Sequence, residues 1–438
     1  MLDIDFIREH ADSVLRAAVA KGFELDLDQL LNAAARRREL TKDTNTMRER
    51  LNQLSRQIPT MPTAERADAL ENVRQLKAEL GILDSELDQA TSRYNELMLV
   101  VPNVPGADVP TGKSDADNVE VSRWGRPRNF NFVPREHLEL GTKLGLFEFE
   151  RSRKYAGGRS YSLTGHGVML ERAVIQFALE SIAAKGFLPL SPPVMVRPSA
   201  LTATGFFPLG RPETYAVEGD NLFLVGTSEV SLVAQHIDEI LNEENLPLRY
   251  VGVSPCFRRE AGAARRDTKG LYRVHMFTKV EQVSIGPADE EWSRAEHNRI
   301  LENSCEILRA LELPHRIVLV CTGELGLGQV RKHDIETWMP SRNAYSETHS
   351  CSTLHDFQAR RAGIRYRTAP KALKFVHTLN NTAIATPRIL IPLLVVGKPS
   401  ELRRLNHDPV RPEEVYRRRQ IASGRAVMSH FNAPVRFV

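Results

Sequence analysis

Cysteine is scarce in this chain, long apolar runs are missing and the two signs of charge nearly cancel. The four cysteines among 438 residues, Cys256, Cys305, Cys321 and Cys351, form no CxxC pair and have no histidine at ligand spacing. That excludes a disulfide framework, gives no reason to expect zinc, and fits a reducing cytoplasm. The first residues, MLDIDFIREH, place acids ahead of any apolar run, which is wrong for a secretion signal. The longest apolar stretch, Ile389 to Val396, is broken by Pro392 and far too short to cross a bilayer, so no membrane partner is expected. A formal net charge of +4, from 59 Lys plus Arg against 55 Asp plus Glu, does not by itself announce a nucleic-acid partner. Internal repeats and a phosphate-binding GxGxxG are also absent.

What is present divides the chain, whose length exceeds one ordinary domain. Leu40, Met47, Leu51, Leu54 and Ile58 follow heptad spacing. After Pro59 and Pro62 the pattern resumes through Val73, Leu76, Leu80, Leu83, Leu87, Ala90, Tyr94 and Leu97. Two such helices joined by a proline turn predict an antiparallel coiled-coil hairpin over about 27–98, within an N-terminal helical domain of residues 1–100. Each arm is roughly 45 to 55 Å long at 1.5 Å per residue. The stretch 36–57 carries seven bases against three acids and 65–97 eight acids against four bases, so the helices attract and the first keeps a basic surface. A solvated coiled-coil face is the plainer reading of that charge. Residues 101–117, rich in Pro, Gly and Asp, read as a linker. Beyond it, strand-like runs at 221–225, 248–255, 271–284 and 316–320 alternate with helical stretches at 168–185, 229–244 and 288–312. This mixture predicts an α+β fold, an antiparallel sheet flanked by helices, over 118–396.

The segment from Val253 to Glu281, VSPCFRREAGAARRDTKGLYRVHMFTKVE, carries the chemistry. Two apolar runs flank a basic, Gly-containing loop. Read as strands, they put Arg258 and Glu260 on one face, and Arg273, His275, Phe277, Lys279 and Glu281 on one face. Guanidinium groups so fixed suit phosphate oxygens, and Phe277 is placed to stack on a base. A polar sheet face with cross-strand ion pairs is the alternative.

CFRREAG followed by RDTKGLYRVHMF resembles motif 2 of class II aminoacyl-tRNA synthetases, in the form found in the seryl-tRNA synthetase family. The opening MLDIDFIREHADSVLRAAVAKG, NVEVSRWGRPRNFNF at 118–132, DFQARRAG at 356–363 and HTLNNTAIATPR at 377–388 extend the resemblance over residues 1–396. It implies a class II synthetase-like sheet with the coiled-coil arm, activation of L-serine by ATP to seryl-adenylate, and transfer to the 3′ end of serine tRNA. By the same resemblance Arg258 and Arg388 are the catalytic arginines, and ATP is held by Arg258, Glu260, Arg273, Phe277, Glu347, Ser350 and Arg388. Glu347 and Ser350 would take Mg2+, and Thr227, Glu229, Arg258, Glu281, Asn380 and Thr382 would bind serine. The arm is expected to grip the long variable arm of the tRNA. The segment Lys185 to Arg197 matches motif 1, which builds the dimer interface, so a homodimer is expected. The substrate carboxylate is already ionised, so positioning and charge neutralisation suffice without a general base.

The match departs from the family in places. ATGF at 203–206 stands for the usual GTGQ, Thr353 for Asn, and Val395 for Glu. Pro387 precedes the motif 3 arginine, and Pro392 requires the following helix to bend or to begin there. The last 42 residues, 397–438, form a basic extension with nine Lys or Arg against four acids and do not resemble the family's ending. Extra RNA contact or packing on the catalytic domain are its two readings. A divergent second copy, serving antibiotic resistance or a biosynthetic pathway, and a catalytically silent RNA-binding or regulatory paralogue are the alternatives.

Overall fold

The computed structural model describes residues 1–261, 270–369 and 372–395. The basic extension at 397–438 and most of the loop inside motif 2 lie outside the described residues. The chain forms two compact units, Met1–Pro105 with Gly326–Gly328, and Gly106–Leu325 with Gln329 onward.

The first unit begins with α1 (Ile4–Glu9) and α2 (Ala11–Lys21), followed by α3 (Leu27–Gln57) and α4 (Thr63–Met98). Asp26 caps α3 by accepting the Gln29 N–H at 2.9 Å, and Pro59 and Pro62 end one helix and open the next. The seam between α3 and α4 buries Leu40, Thr44, Val73 and Leu76, so Thr44 fills the seven-residue gap between Leu40 and Met47. The predicted attraction has two concrete links, Arg36 to Glu86 at 2.9 Å and Arg48 to Asp84 at 2.7 Å. Both are exposed and worth at most about 1 kcal/mol each, so the apolar seam is the larger contribution. At the base, Ile7, Val14, Leu30, Tyr94, Met98 and Val101 form a separate small core. Lys21, buried there, donates to the carbonyls of Gly326 at 3.1 Å and Leu327 at 3.2 Å.

The second unit is built on eight strands: β1 (Val119–Trp124), β2 (Leu188–Leu190), β3 (Leu248–Phe257), β4 (Met276–Gly286), β5 (His315–Leu319), β6 (Arg331–Met339), β7 (Ala344–His355) and β8 (His377–Thr386). Their order is β1-β5-β6-β7-β8-β4-β3-β2. All neighbours are antiparallel except the β2–β3 pair at one edge. One sheet face is covered by α5 (His166–Ala183) and α7 (Glu290–Ala310), with α6 (Glu229–Ala234) lying between them in sequence. Val174, Ala178 and Ile182 of α5 and Ile300, Cys305 and Leu308 of α7 meet Val280, Ile335, Cys351 and Ile384 of the strands. Strand alternation therefore sends Val280 and Gln282 into this core and leaves Phe277, Lys279 and Glu281 for the opposite face. Two further helices, α8 (Phe357–Ala362) and α9 (Leu390–Val395), complete the parts that bear on the site.

Local readings differ from the sequence expectation in two places, while Pro392 sits at a helix start as expected. The helix expected over 229–244 ends at Ala234. Asp238 adopts a left-handed backbone, φ 60°, its N–H goes to Ala362 O at 2.8 Å, and Ile240–Asn242 pairs as a strand with Arg365–Arg367. The strand expected from Leu271 begins only at Met276, after a short 3₁₀ turn at Gly270–Tyr272. Pro392 is the third residue of α9, in the first turn, where a missing N–H breaks no helical bond.

Candidate active site

The open face of the sheet carries a cleft of about 300 Å³. Residues of β4, β6, β7 and β8 line it, together with the chain beyond β3 and the turn before α9. Each of the twelve residues singled out from sequence lines this cleft. The route by which some reach it differs from strand alternation. β3 stops at Phe257, so Arg258 and Glu260 lie past the strand, and Glu260 has φ 52°. Arg273 lies ahead of β4 and enters through its ion pair with Glu260 at 2.8 Å. His275 is a correction, since it is not among the lining residues; its Nδ1 faces the Arg258 carbonyl at 3.0 Å and its ring packs edge-on against Tyr215.

At one end the cleft is cationic. The Arg258 guanidinium sits 5.1 Å from the centre of the Phe277 ring, and its Nε donates to Gly226 O at 3.3 Å. Arg388 is anchored by donating to the carbonyls of Glu347 at 3.0 Å and Tyr272 at 3.1 Å. Both arginines are thus held in place by backbone carbonyls, Arg388 with the Glu347 carboxylate a further 4.0 Å away, a geometry suited to an anionic chain of phosphates.

The floor holds Glu347 and Ser350. Three residues apart on a regular strand they would face opposite sides. Thr348 is an extra residue in the β6–β7 ladder, since Glu336 pairs with Glu347 while Ile335 pairs with His349, and this bulge lets both line the cleft. Desolvation acts to raise the Glu347 pKa, but Lys332, Arg388, Arg258 and Arg273 outweigh it, and the carboxyl ends below its ordinary value. An ionised, half-exposed carboxylate and a hydroxyl lining the same cleft are donors that fit a hard divalent cation with water completing its shell. Lys332, paired with Asp334 at 2.9 Å, lines the same floor.

The other end is a small polar pocket. The Glu229 carboxylate accepts from Gln358 Nε2 at 2.7 Å and Asn380 Nδ2 at 2.9 Å on one oxygen. Burial, then repulsion from Glu281, pushes its pKa up to about 7, against the pull of Gln358, Lys279 and Arg258. Glu281, almost wholly buried, accepts from Lys279 at 2.6 Å and from Thr382 Oγ1 at 3.3 Å. A bulge opposite Val280 and Glu281 brings Thr382 into register with Glu281. The Thr227 hydroxyl receives the second contact of Lys279 at 2.7 Å. Sequence spacing gives no role to Lys279, Gln358, Lys332 or Gln329. The one signal available is that Lys279 stands two residues before Glu281 on a strand. Phe206, where the family has Gln, lines the cleft, and Thr353, where it has Asn, hydrogen-bonds His297 at 2.8 Å on the helix side of the sheet.

Residues 214–396 match the family model of the tRNA synthetase class II core domain (G, H, P, S and T), and residues 1–105 match that of the seryl-tRNA synthetase N-terminal domain. The serine–tRNA ligase of Deinococcus radiodurans is 43% identical over 394 residues, covering 90% of this chain and 93% of the relative. That of Rubrobacter xylanophilus is 42% identical over 397 residues, covering 90% and 93%. Among solved structures, seryl-tRNA synthetase from Pyrococcus horikoshii complexed with ATP superposes with a TM-score of 0.81 at 35% identity, over 90% of this chain and 93% of that one. With both family models matched and relatives 43% and 42% identical over most of its length, the chain belongs to the seryl-tRNA synthetase family.

Proposed function

We propose that this protein is a serine–tRNA ligase: it activates L-serine with ATP and transfers it to serine tRNA. The observation that carries the reading is the polar end formed by Thr227, Glu229, Glu281, Asn380 and Thr382, which shares one cleft with the arginines. Two carboxylates in that pocket suit an ammonium and a hydroxyl. Alanine would leave the hydroxyl partners unpaired, which can cost four to five orders of magnitude, roughly, in selectivity.

In the first step a serine carboxylate oxygen attacks the α-phosphorus of ATP, and the bond to the bridging oxygen breaks as pyrophosphate leaves. Arg258 neutralises the α-phosphate and the incoming carboxylate, Arg273 the phosphate chain, and Arg388 the γ-phosphate, with adenine between Phe277 and Arg388. Glu260 orients Arg273 through their ion pair. Glu347 and Ser350 would hold magnesium, which would supply charge neutralisation on the phosphates. In the second step the terminal ribose hydroxyl of the tRNA attacks the acyl carbon, and AMP leaves. Neither step needs a strong base, so the rate comes from alignment and electrostatic stabilisation.

The partners follow the same reading. With a helical domain at 1–100, a linker at 101–117 and a catalytic domain at 118–396, the arm would grip the tRNA variable arm, a reading supported by Arg38, Lys42, Arg50 and Arg56, which are exposed on α3. Exposed Leu188 and Met195, within the motif 1 segment, support a homodimer. Cytoplasmic location agrees with the described residues, where no helix is long and apolar enough to cross a membrane. A silent paralogue has no physical reason to keep Glu229 and Glu281 charged and buried. Serine-dependent exchange of pyrophosphate into ATP, followed by serine transfer to tRNA, tests the proposal. Removing the arm hairpin should abolish transfer and spare exchange, whereas equal loss of both would refute the arm's role.

A further inference from the structure

The serine end of the cleft contains a buried ammonium that the activation chemistry does not call for. The Lys279 side chain is 7% exposed, and it reaches Glu281 Oε2 at 2.6 Å and Thr227 Oγ1 at 2.7 Å. Thr227 Oγ1 also accepts the Glu229 N–H at 3.3 Å. With both acceptor sites of that hydroxyl used, its proton is left to donate. Glu281 Oε2 meanwhile takes donors from Lys279 and Thr382, which fixes Glu281 as an ionised acceptor.

We propose that Lys279 is a specificity-determining residue, the charge that holds Glu281 as an acceptor, opposes protonation of Glu229 and so sets which oxygens accept from serine. The inference rests on the serine–tRNA ligase reading. At this end of the cleft Glu281 acts on Glu229 as a like charge and Lys279 and Arg258 as opposite ones, so the two cations offset the two carboxylates where a zwitterion would sit. Without Lys279, two carboxylates share a dry site with one counter-charge fewer, and the repulsion between them shifts one further toward its protonated form. The protonated oxygen turns from acceptor to donor. The site then loses its grip on the substrate ammonium or hydroxyl and its penalty against alanine, because a neutral acid is less costly to leave unpaired than a carboxylate.

Lys279→Met keeps the length and apolar stem and removes the charge. The test is pyrophosphate exchange with serine and with alanine from about pH 6.5 to 9, with ATP affinity measured by calorimetry and thermal melting as a check on folding. Expected at pH 7 are a serine KM raised roughly 10-fold or more and a serine-to-alanine ratio of kcat/KM lowered roughly 10-fold or more, with ATP affinity within about threefold. The serine KM of the variant should fall as pH rises and the second carboxyl ionises. Lys279→Gln carries the same expectation if the first variant does not fold. An unchanged ratio and pH profile would make Lys279 a packing residue and overturn the inference, as would equal losses of serine and ATP affinity. Wild-type enzyme with no serine-dependent exchange would instead sink the ligase reading itself.

Discussion

Gln358, from the DFQARRAG segment on α8, does not line the cleft but hydrogen-bonds Glu229, the carboxylate that the proposed function assigns to serine. Its side chain is 1% exposed. Nε2 donates to Glu229 Oε1 at 2.7 Å and to Thr204 O at 3.1 Å, and its carbonyl accepts from Thr378 Oγ1 at 2.6 Å. Replacing it with Leu removes one of two donors that stabilise the Glu229 carboxylate. A hydrogen bond to a charged group is worth about 1.5–3 kcal/mol. That moves the Glu229 titration, already raised to about 7 by burial and then by Glu281, upward by about one to two pH units. Serine binding requires the ionised form, so at pH 7 the population able to bind drops by about 5- to 50-fold, and the serine KM rises correspondingly. At pH 9 most of the carboxylate is recovered and the defect shrinks to about twofold. Pyrophosphate exchange at pH 7, 8 and 9, with saturating ATP, reads this directly. The ATP KM serves as the control and stays within about threefold. A serine KM that rises by the same factor at every pH would show that Gln358 packs α8 and does not tune Glu229.

Three further outcomes follow from the structure. Arg388→Ala removes a cation anchored by Glu347 O and Tyr272 O, so exchange kcat should fall by roughly 10²-fold or more while the melting midpoint holds; a loss under tenfold would refute its role. Thr44 places an unpaired hydroxyl in the α3–α4 seam, so Thr44→Val should stabilise the first unit by about 1 kcal/mol in urea titrations, and a destabilised variant would show that the hydroxyl finds a partner. His377, held down to about 4 by burial and then by the stacked His355, binds a proton more readily when unfolded. Its contribution to stability is therefore complete above about pH 6.5 and lost as pH falls toward 4, at about 1.4 kcal/mol per pH unit. Denaturant unfolding of His377→Gln should show a shallower loss between pH 6 and 4.5 than wild type, and parallel curves would refute the assignment.

The parts of the fold legible in the sequence are those fixed by local periodicity. The α3–α4 seam repeats every three or four residues and needs no information from elsewhere in the chain. Even Thr44, which interrupts the apolar pattern, leaves the helix intact because its neighbours hold the phase. The extended misreading at 229–244 has the opposite cause. The stretch beyond Ala234 has helical composition, but Asp238 binds Ala362 O and Ile240–Asn242 finds a strand partner more than a hundred residues away. Tertiary pairing overrides local preference there.

In the site, residue identity was legible and geometry was not. The order of charges in VSPCFRREAG and YRVHMFTKVE points to a phosphate-binding surface, yet the alternation argument for Arg258, Glu260 and Arg273 fails because all three lie outside β3 and β4. An ion pair and a left-handed Glu260 do what alternation was expected to do. The bulges at Thr348 and opposite Glu281 are equally silent in the sequence, and each shifts a functional residue to the face it needs. What the sequence omits most is the supporting layer, Gln358 and Lys279, whose effect is exerted on other side chains. Their positions explain how two carboxylates can stand close together in one cleft. Glu229 is held by amide donors and Glu281 by an ammonium and a hydroxyl, so the two acceptors are chemically distinct. Under the proposed function that asymmetry, more than the inventory of lining residues, would set which end of a zwitterion with a hydroxyl each carboxylate receives.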